Sequence, residues 1–387
     1  MNSAVRNIAI LGSTGSIGRS TLDVVAAADG RLRVRGLTAN TRLGELCEQA
    51  ARCQADWIVA TDPQQAAAFD WSDKPPGVEL LVGQEGIETL VARESIDIVV
   101  AAIVGSAGLT GTWAALHAGK TVALANKETL VMAGPLVMHL ARQRGAKILP
   151  VDSEHSAVFQ ALEAGRRGDV KRIILTASGG PFRRHTADQL AQITVEEALA
   201  HPTWNMGPKV TVDSATMMNK ALEIVEARWL FDLEPHQIDV VVHPQSVVHS
   251  MVEFRDGSVV AQLSPPDMKL PIQYALTYPA RWPCPSPPLD LAAAFGLDFE
   301  PPDLDRFPAL QLGHDVAQSG GTAGAVLNAA NEAAVAGFLD GQLAFTEIVP
   351  ACRSVLESHH FDADPTLEEL IELDAWARQE VTRWVCT

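Results

Sequence analysis

The chain has 387 residues, more than one hydrophobic core usually covers, so its length predicts two or three domains. Its formal charge of −17 argues against a nucleic acid or an anionic membrane as a partner, so an anionic ligand would need a local cluster of donors. No apolar run approaches the roughly 18 residues that a membrane-spanning helix needs.

The cysteines and the first residues both favour a cytoplasmic protein. Residues 1–6 lead directly into a predicted strand and leave no room for a signal peptide. The cysteines are scattered without a Cys-x-x-Cys pair, so we expect free thiols at Cys47, Cys53, Cys284, Cys352 and Cys386.

A glycine-rich turn follows the first predicted strand, residues 7–11. Residues 12–18 read GSTGSIG and lead into the helical pattern of residues 20–25. Such a turn lets the backbone approach a pyrophosphate at the helix N-terminus, although the spacing is G-x-x-G-x-x-G rather than the usual G-x-G-x-x-G. The sequence therefore predicts a dinucleotide site, and the alternative is a glycine turn without a ligand.

The second predicted strand, residues 33–38, ends close to Asn40, Thr41 and Arg42. An NAD enzyme would be expected to place Asp or Glu near here for the ribose hydroxyls, and this chain has neither. A guanidinium with small polar donors instead suits the 2′-phosphate of NADP. The alternative is that Arg42 simply begins the next helix.

Three more strands are predicted at residues 57–60, 96–102 and 121–125. Because helix-length sequence separates them, the pattern predicts a doubly wound parallel sheet. The last strand delivers Asn126, Lys127 and Glu128 at its carboxyl end, where ligands bind in such sheets. Lys127 could contact a substrate hydroxyl or carbonyl there. The alternative is a polar cap for the helix that follows.

Two carboxylates, Asp152 and Glu154, follow the strand-like residues 146–149. In an extended segment these alternate residues would point the same way and could converge on one hard cation. Oxygen ligands suit Mg²⁺ or Mn²⁺. The alternative is a loop whose acidic residues are only solvated.

The segment that follows the predicted strand 172–176 is typical of a lid. It is polar and interrupted as far as Pro208, and Trp204 stands between prolines and glycines. Long loops with an exposed aromatic residue often close over ligands. We predict a lid at about residues 178–208.

Residues 213–216, DSAT, are predicted to cap a helix in which Asn219, Lys220 and Glu223 share one face. A capped helix N-terminus with serine, asparagine and lysine is a good phosphate site. The alternative is a solvated ion pair between Lys220 and Glu223.

Six ordered blocks in the first two-thirds of the chain carry a family resemblance: ILGSTGSIG, ALANKE, VDSEH, ASGGPF, HPTWNMG and VDSATMMNKALE. The chain resembles the 1-deoxy-D-xylulose 5-phosphate reductoisomerases. The resemblance implies an NADP-dependent oxidoreductase that uses NADPH and a divalent cation, Mg²⁺ or Mn²⁺. Its reaction would convert 1-deoxy-D-xylulose 5-phosphate, a small phosphorylated sugar, into 2-C-methyl-D-erythritol 4-phosphate in the non-mevalonate isoprenoid pathway. It also implies a homodimer.

The resemblance also implies roles for individual residues. The metal ligands would be Asp152, Glu154 and Glu223, which would act in catalysis together with Lys127 and His201. The substrate phosphate would be held by Ser178, Ser214, Asn219 and Lys220, and the sugar chain would meet Lys127, Ser153, Glu154, His201 and Glu223. NADPH would contact Thr14, Gly15, Ser16, Ile17, Asn126, Glu128 and Gly207, besides the predicted Asn40, Thr41 and Arg42.

Two positions depart from the family pattern. Arg42 stands where the family usually has asparagine, which bears on the contact to the 2′-phosphate. Ser264 stands where glycine is usual, which bears only on a turn.

His243 and His249 lie in alternating apolar sequence and are predicted to be core or interface histidines rather than metal ligands. An Asp256-Gly257 pair predicts a hairpin turn between the strand-like residues 252–254 and 259–261.

The predicted fold class is α/β, with an N-terminal Rossmann-like doubly wound sheet, an α/β catalytic domain with a lid loop, and a C-terminal helical bundle. Helical patterns at residues 322–335 and 366–373 support the bundle. The predicted boundaries are 1–151 for the NADP-binding domain, 152–282 for the catalytic domain, 283–308 for a proline-rich linker and 309–387 for the helical domain.

Two other functions are compatible with parts of this pattern. One is an NADP-dependent dehydrogenase of another phosphorylated small molecule, in which Asp152 and Glu154 would serve only as acid and base. The carboxylate of Glu223 argues against it, because a third carboxylate is not needed there. The other is a non-catalytic NADP sensor, which would need no phosphate-and-metal residues.

Overall fold

A computed structural model describes residues 5–204, 206–292 and 295–385. The chain divides into two compact units. Unit 1 comprises Met1–Asn126, Val137–Ser156 and Asp267–Pro287. Unit 2 comprises Lys127–Leu136, Ala157–Pro266 and Pro288–Thr387.

Unit 1 is built on a parallel sheet of seven strands in the order β4-β3-β2-β1-β5-β6-β7. The strands are β1 Arg6–Leu11, β2 Leu32–Ala39, β3 Trp57–Ala60, β4 Glu79–Val82, β5 Ile98–Ala101, β6 Thr121–Leu124 and β7 Lys147–Pro150. Ile8, Ile10 and Val99 are fully buried, as β-branched residues are in a sheet covered on both faces. The predicted doubly wound sheet is confirmed.

Helices alternate with these strands, because each parallel pairing needs a crossover connection. They are α1 Ser16–Ala26, α2 Leu43–Cys53, α3 Pro63–Ala68, α4 Gly83–Ala92, α5 Gly108–His117, α6 Glu128–Arg144 and α7 Ser153–Leu162. The chain later returns to unit 1 through a further helix at Lys269–Thr277. The edge strand β4 was not predicted, because it has four residues and none of them is buried.

Unit 2 contains a four-stranded sheet in the order β11-β10-β8-β9. The strands are β8 Val170–Ala177, β9 Ile238–Val242, β10 Val248–Phe254 and β11 Val259–Leu263. Strand β8 runs parallel to β9 and antiparallel to β10. The predicted hairpin joins β10 to β11, with Gly257 at φ +88° in its turn.

The unit 1 helix at Lys269–Thr277 is α12. The remaining helices, all in unit 2, are α8 Ala187–Leu190, α9 Val195–Leu199, α10 Pro208–Thr216, α11 Met218–Phe231, α13 Ala309–Ser319, α14 Ala323–Leu339, α15 Ile348–Ser358 and α16 Leu367–Val385. Helix α14 is buried on nearly all sides and is packed by α15 and α16. The predicted C-terminal helices are therefore confirmed.

Two local predictions were wrong. Glu154 does not lie in an extended segment but in the first turn of α7, where its backbone N–H donates to Asp152 Oδ1 at 3.1 Å. Residues 213–216 are not a turn ahead of α11 but the end of α10, and of the predicted cap only Thr216 Oγ1 accepts an N–H of α11, that of Met218 at 3.3 Å. Pro208 starts α10 at a position that suits proline, and Met217 at φ +64° then separates α10 from α11.

Cys47, Cys53, Cys284 and Cys352 are free thiols, as predicted, and Cys386 lies outside the described residues. Among the described residues, no helix combines the length and apolar character needed to cross a membrane. His243 and His249 are buried and hydrogen-bonded to backbone groups, which confirms them as core histidines.

Candidate active site

The glycine-rich turn of unit 1 requires glycine at two positions. Gly12 has φ +84°, and a Cβ there would lie 2.8 Å from the carbonyl oxygen of Ala102. A Cβ at Gly18 would lie 2.4 Å from the carbonyl oxygen of Ser13. Helix α1 starts directly after this turn, at Ser16. The two glycines therefore let the backbone pack closely around the turn, directly ahead of a helix N-terminus, and such an N-terminus can accept a phosphate.

The three predicted NADP residues Asn40, Thr41 and Arg42 are exposed at the carboxyl end of β2. Arg42 is also the residue that precedes α2, which confirms the helix-start interpretation, while its contact with the 2′-phosphate stays a prediction. Its guanidinium lies 3.8 Å from Glu45 and keeps half of its surface exposed. Asn126 differs, because it is buried and its side-chain amide donates to the carbonyl of Gly105 at 3.0 Å.

Asp152, Ser153 and Glu154 form a hydrogen-bonded group at the start of α7. Ser153 Oγ donates to Glu154 Oε2 at 2.8 Å. Asp152 Oδ1 also lies 3.3 Å from Nδ1 of His155, whose side chain is fully buried. His155 was not singled out from the sequence, although its position three residues after Asp152 on a helix start was a usable signal.

In unit 2, four predicted residues meet in what we call the Glu223 cluster: Lys127, Asn219, Lys220 and Glu223. Lys127 Nζ donates to Asn219 Oδ1 at 2.9 Å and to Glu223 Oε1 at 3.0 Å. Asn219 Nδ2 donates to Glu223 Oε1 at 2.6 Å, and Lys220 contacts Glu223 Oε2. The side chains of Lys220 and Glu223 are 4% and 1% exposed, so their ion pair is not a solvated one.

Ser178 and His201 lie at the two ends of the predicted lid and contact each other. Nδ1 of His201 accepts the backbone N–H groups of Thr203 and Trp204, at 3.1 and 2.9 Å. The ring proton therefore sits on Nε2, which lies 3.2 Å from Ser178 Oγ. Burial lowers the pKa of His201 and favours this neutral form.

The lid segment, residues 178–208, includes the short helices α8 and α9. Trp204 is half-buried, and its ring lies 6.2 Å from that of His249. Gly180, at φ +65°, would place a Cβ 2.6 Å from the carbonyl oxygen of Ser214. This close approach places the start of the lid, residues 178–180, against the end of α10. Gly207 is the exposed residue that precedes α10, and Asn205 lies outside the described residues.

Sequence reasoning missed a second buried charge cluster in unit 2, centred on Lys209. Its Nζ lies 2.8 Å from Glu128 Oε1 and 3.0 Å from Asp213 Oδ2. Burial lowers the pKa of Lys209, but the charges of Asp213 and Glu128 outweigh it and raise the pKa overall. Burial raises the pKa of Glu128, but Lys209 outweighs it and lowers the pKa, so Lys209 and Glu128 form a charged pair.

A doubly wound sheet with a glycine-rich phosphate turn, combined with a buried lysine–carboxylate cluster, defines the class of dinucleotide-dependent oxidoreductases. Three family models match the chain: "1-deoxy-D-xylulose 5-phosphate reductoisomerase" over residues 8–134, the C-terminal domain of that name over residues 148–231, and "DXP reductoisomerase C-terminal domain" over residues 263–380. The chain belongs to the 1-deoxy-D-xylulose 5-phosphate reductoisomerase family.

Curated relatives and solved structures agree with this placement. The 1-deoxy-D-xylulose 5-phosphate reductoisomerase of Heliobacterium modesticaldum is 49% identical over 98% of each chain, and that of Rhodopirellula baltica is 48% identical over 97% of this chain and 94% of its own. A crystal structure of DOX-P reductoisomerase in complex with NADPH, fosmidomycin and magnesium has a TM-score of 0.92 at 42% identity and 98% coverage of each chain. The Zymomonas mobilis enzyme in complex with NADPH has a TM-score of 0.90, also at 42% identity, over 98% of this chain and 99% of its own.

Proposed function

We propose that this protein converts 1-deoxy-D-xylulose 5-phosphate into 2-C-methyl-D-erythritol 4-phosphate at the expense of NADPH, in the non-mevalonate isoprenoid pathway. The observation that carries the proposal is the similarity of nearly the whole chain to 1-deoxy-D-xylulose 5-phosphate reductoisomerases. The Glu223 cluster supports it, because a dinucleotide-binding sheet alone would not need buried lysines beside a carboxylate.

NADPH fits unit 1. The predicted contacts Thr14, Gly15, Ser16 and Ile17 lie where the turn leads into α1, so a pyrophosphate can meet the N-terminus of that helix. Arg42 offers a half-exposed guanidinium for the 2′-phosphate in place of the family's usual asparagine. When bound, NADPH supplies the hydride for reduction. Asn126, Glu128 and Gly207 complete the proposed set, and the carboxylate of Glu128 is held by Lys209.

A divalent cation fits the carboxylates of Asp152, Glu154 and Glu223, which are the oxygen ligands that Mg²⁺ and Mn²⁺ prefer. When bound, the cation supplies a Lewis acid for oxygens of the substrate. The lysine amines of the Glu223 cluster provide positive charge beside Glu223. Asp152 is fixed in place by its contacts with His155 and with the backbone of Glu154.

The substrate phosphate is proposed to bind Ser178, Ser214, Asn219 and Lys220, which supply hydroxyl, amide and ammonium donors. Lys127 and His201 would orient the sugar chain, with Ser153 as a further contact. Neutral His201 offers its Nε2–H, since Nδ1 is already occupied by two backbone donors. The lid would then exclude water from the reacting atoms.

Several finer features belong to the same proposal. The working protein would be a cytoplasmic homodimer. Its functional division would follow the predicted domains, with cofactor binding in residues 1–151, metal and substrate binding in 152–282, a linker at 283–308 and a supporting helical domain at 309–387.

A turnover assay with single carboxylate variants tests the proposal. Purified protein with 1-deoxy-D-xylulose 5-phosphate and Mg²⁺ should oxidise NADPH, and chelation of the metal should stop the reaction. Asp152→Asn, Glu154→Gln and Glu223→Gln should each abolish turnover and weaken metal binding measured by calorimetry, while NADPH affinity changes little. Unchanged metal affinity in all three variants would remove them as a ligand set.

A further inference from the structure

A buried charge network beside the proposed ligand contacts begins at Lys209 and includes one of those contacts, Glu128. This residue is the second of α10 and follows the lid segment directly. Its ammonium bridges Asp213, on the same helix, and Glu128, which begins α6 and is the chain neighbour of Lys127. The Lys209, Glu128 and Asp213 side chains are 18%, 6% and 1% exposed.

The network continues into the C-terminal helices. Asn331 of α14 is fully buried, and its Nδ2 donates to Asp213 Oδ1 at 2.8 Å. Each oxygen of Asp213 therefore has its own partner, Lys209 on one side and Asn331 on the other. The next residue of α14, Glu332, is held by Arg378 of α16 at 2.6 Å, and its charge also acts to raise the pKa of Lys209. Polar contacts thus join the end of the lid, the start of α6 and α14, all within unit 2.

Buried charges restrict geometry more strongly than apolar contacts do, because a displaced ammonium or carboxylate would be left without a partner. Lys209 already meets two carboxylates, which distinguishes it from a phosphate-binding lysine such as the proposed Lys220. We propose that Lys209 is a positioning residue that fixes the lid's C-terminal end relative to Lys127 and to α14. It would set the rate of the reaction without touching substrate or cofactor, a role that rests on the proposed function.

Amide hydrogen exchange of the ligand-free protein tests the anchor independently of activity. In Lys209→Met, amides of α9 and α10 should exchange at least about tenfold faster, while those of β8 and β10 in the same unit should change less than about threefold. Uniform acceleration across unit 2 would mean that Lys209 only stabilises the fold, and unchanged exchange would mean that it anchors nothing. Either result overturns the proposal.

Kinetics then test the effect on the reaction. Lys209→Met should lower kcat by about 10- to 100-fold, the loss expected when reacting groups are slightly misplaced, with a smaller change in KM. Lys209→Arg should recover most of kcat, because it keeps the charge between the two carboxylates. The matched control is Lys171→Met, which removes a lysine that pairs with Glu253 at 2.6 Å on the strands of the same unit. An unchanged kcat in Lys209→Met would overturn the catalytic part of the proposal.

A second variant covers the case in which Lys209→Met does not fold, since it leaves two buried carboxylates unpaired. Asn331→Ala keeps every charge and removes only the link from Asp213 to α14. It should accelerate exchange in α10 by about threefold or more, and unchanged exchange would overturn the anchor. If the wild-type protein failed to turn over the proposed substrate, the proposed function would fall while the exchange measurements would still decide the anchor.

Discussion

Lys220 shows how a single side chain can be read in two ways. Its distance along the helix from Glu223 allows an ordinary surface ion pair, but both side chains are buried and Lys127 reaches the same carboxylate. A buried lysine has been removed from water at a cost that a solvated pair avoids, so it is better explained by a ligand-binding role.

Lys220→Met should therefore weaken binding of the phosphorylated substrate by about 10- to 150-fold, the value of a charge-assisted hydrogen bond. NADPH affinity should change little, because its proposed contacts lie on other residues. Both affinities can be measured by titration calorimetry, with Lys171→Met as the surface-lysine control. An unmoved substrate affinity would leave Lys220 with only its ion pair to Glu223.

Residue-scale prediction from the sequence worked where spacing along one helix was enough. Asn219, Lys220 and Glu223 were placed on one face from their spacing, and α11 bears this out. The approach of Lys127, which is 96 residues away from Glu223, is not encoded in any local pattern and came only from the family resemblance. Lys209 was missed for the same reason, since its partner Glu128 is 81 residues away.

At the scale of elements, Phe182 anchors the start of the lid against Phe345, but the rest of the lid is held by few buried side chains. Leu190 is the buried residue of α8 and Ala198 that of α9, and both helices instead rely on capping boxes begun by Thr186 and Thr194. So little buried apolar area favours a segment that closes only when the site is occupied.

Limited proteolysis between Arg183 and Lys209 should therefore be fast in the free protein and suppressed by NADPH together with a phosphonate mimic of the substrate. Trp204→Ala should lower turnover more than it lowers the free energy of unfolding, because Trp204 is only half-buried. Equal protection with and without ligands would show that the segment is ordinary packed structure.

Element boundaries could be predicted where hydrophobic runs were long, and not where capping decided them. The buried runs of β1, β3 and β6 were found close to their observed ends. The start of α7 was mistaken for extended chain, because the deciding contact is the Asp152 side chain on the Glu154 N–H. The break between α10 and α11 depends on one residue, Met217 at positive φ, which sequence propensity does not favour.

For the whole molecule, the sequence predicted the parallel sheet and the C-terminal helices, but not how the chain is divided between the two units. Parallel pairing in unit 1 followed from strands separated by helix-length sequence, whereas the return of α12 to unit 1 has no local signal.

Stability also depends on buried polar groups, of which His249 of β10 is the clearest case. Burial lowers its pKa to about 4, despite hydrogen bonds to backbone carbonyls that favour the charged ring.

Because an unfolded histidine titrates near 6.5, the unfolded chain binds this proton first as the pH falls. The contribution of His249 to stability is therefore complete above about pH 6.5 and declines by about 3 kcal/mol as the pH falls towards 4. Urea unfolding at several pH values should show a shallower acid-side loss in His249→Gln, which can keep the hydrogen bond to Ser264. An identical pH dependence in both proteins would contradict the buried neutral state.

The proposed enzyme both rearranges and reduces its substrate, which separates it from a simple NADP-dependent dehydrogenase. Carbon NMR of the product formed from 1-deoxy-D-xylulose 5-phosphate, NADPH and Mg²⁺ tests this most directly. We expect the branched product 2-C-methyl-D-erythritol 4-phosphate in amounts equal to the NADPH oxidised, and none without the metal. An unbranched sugar-alcohol phosphate, or product formed equally well without metal, would contradict it.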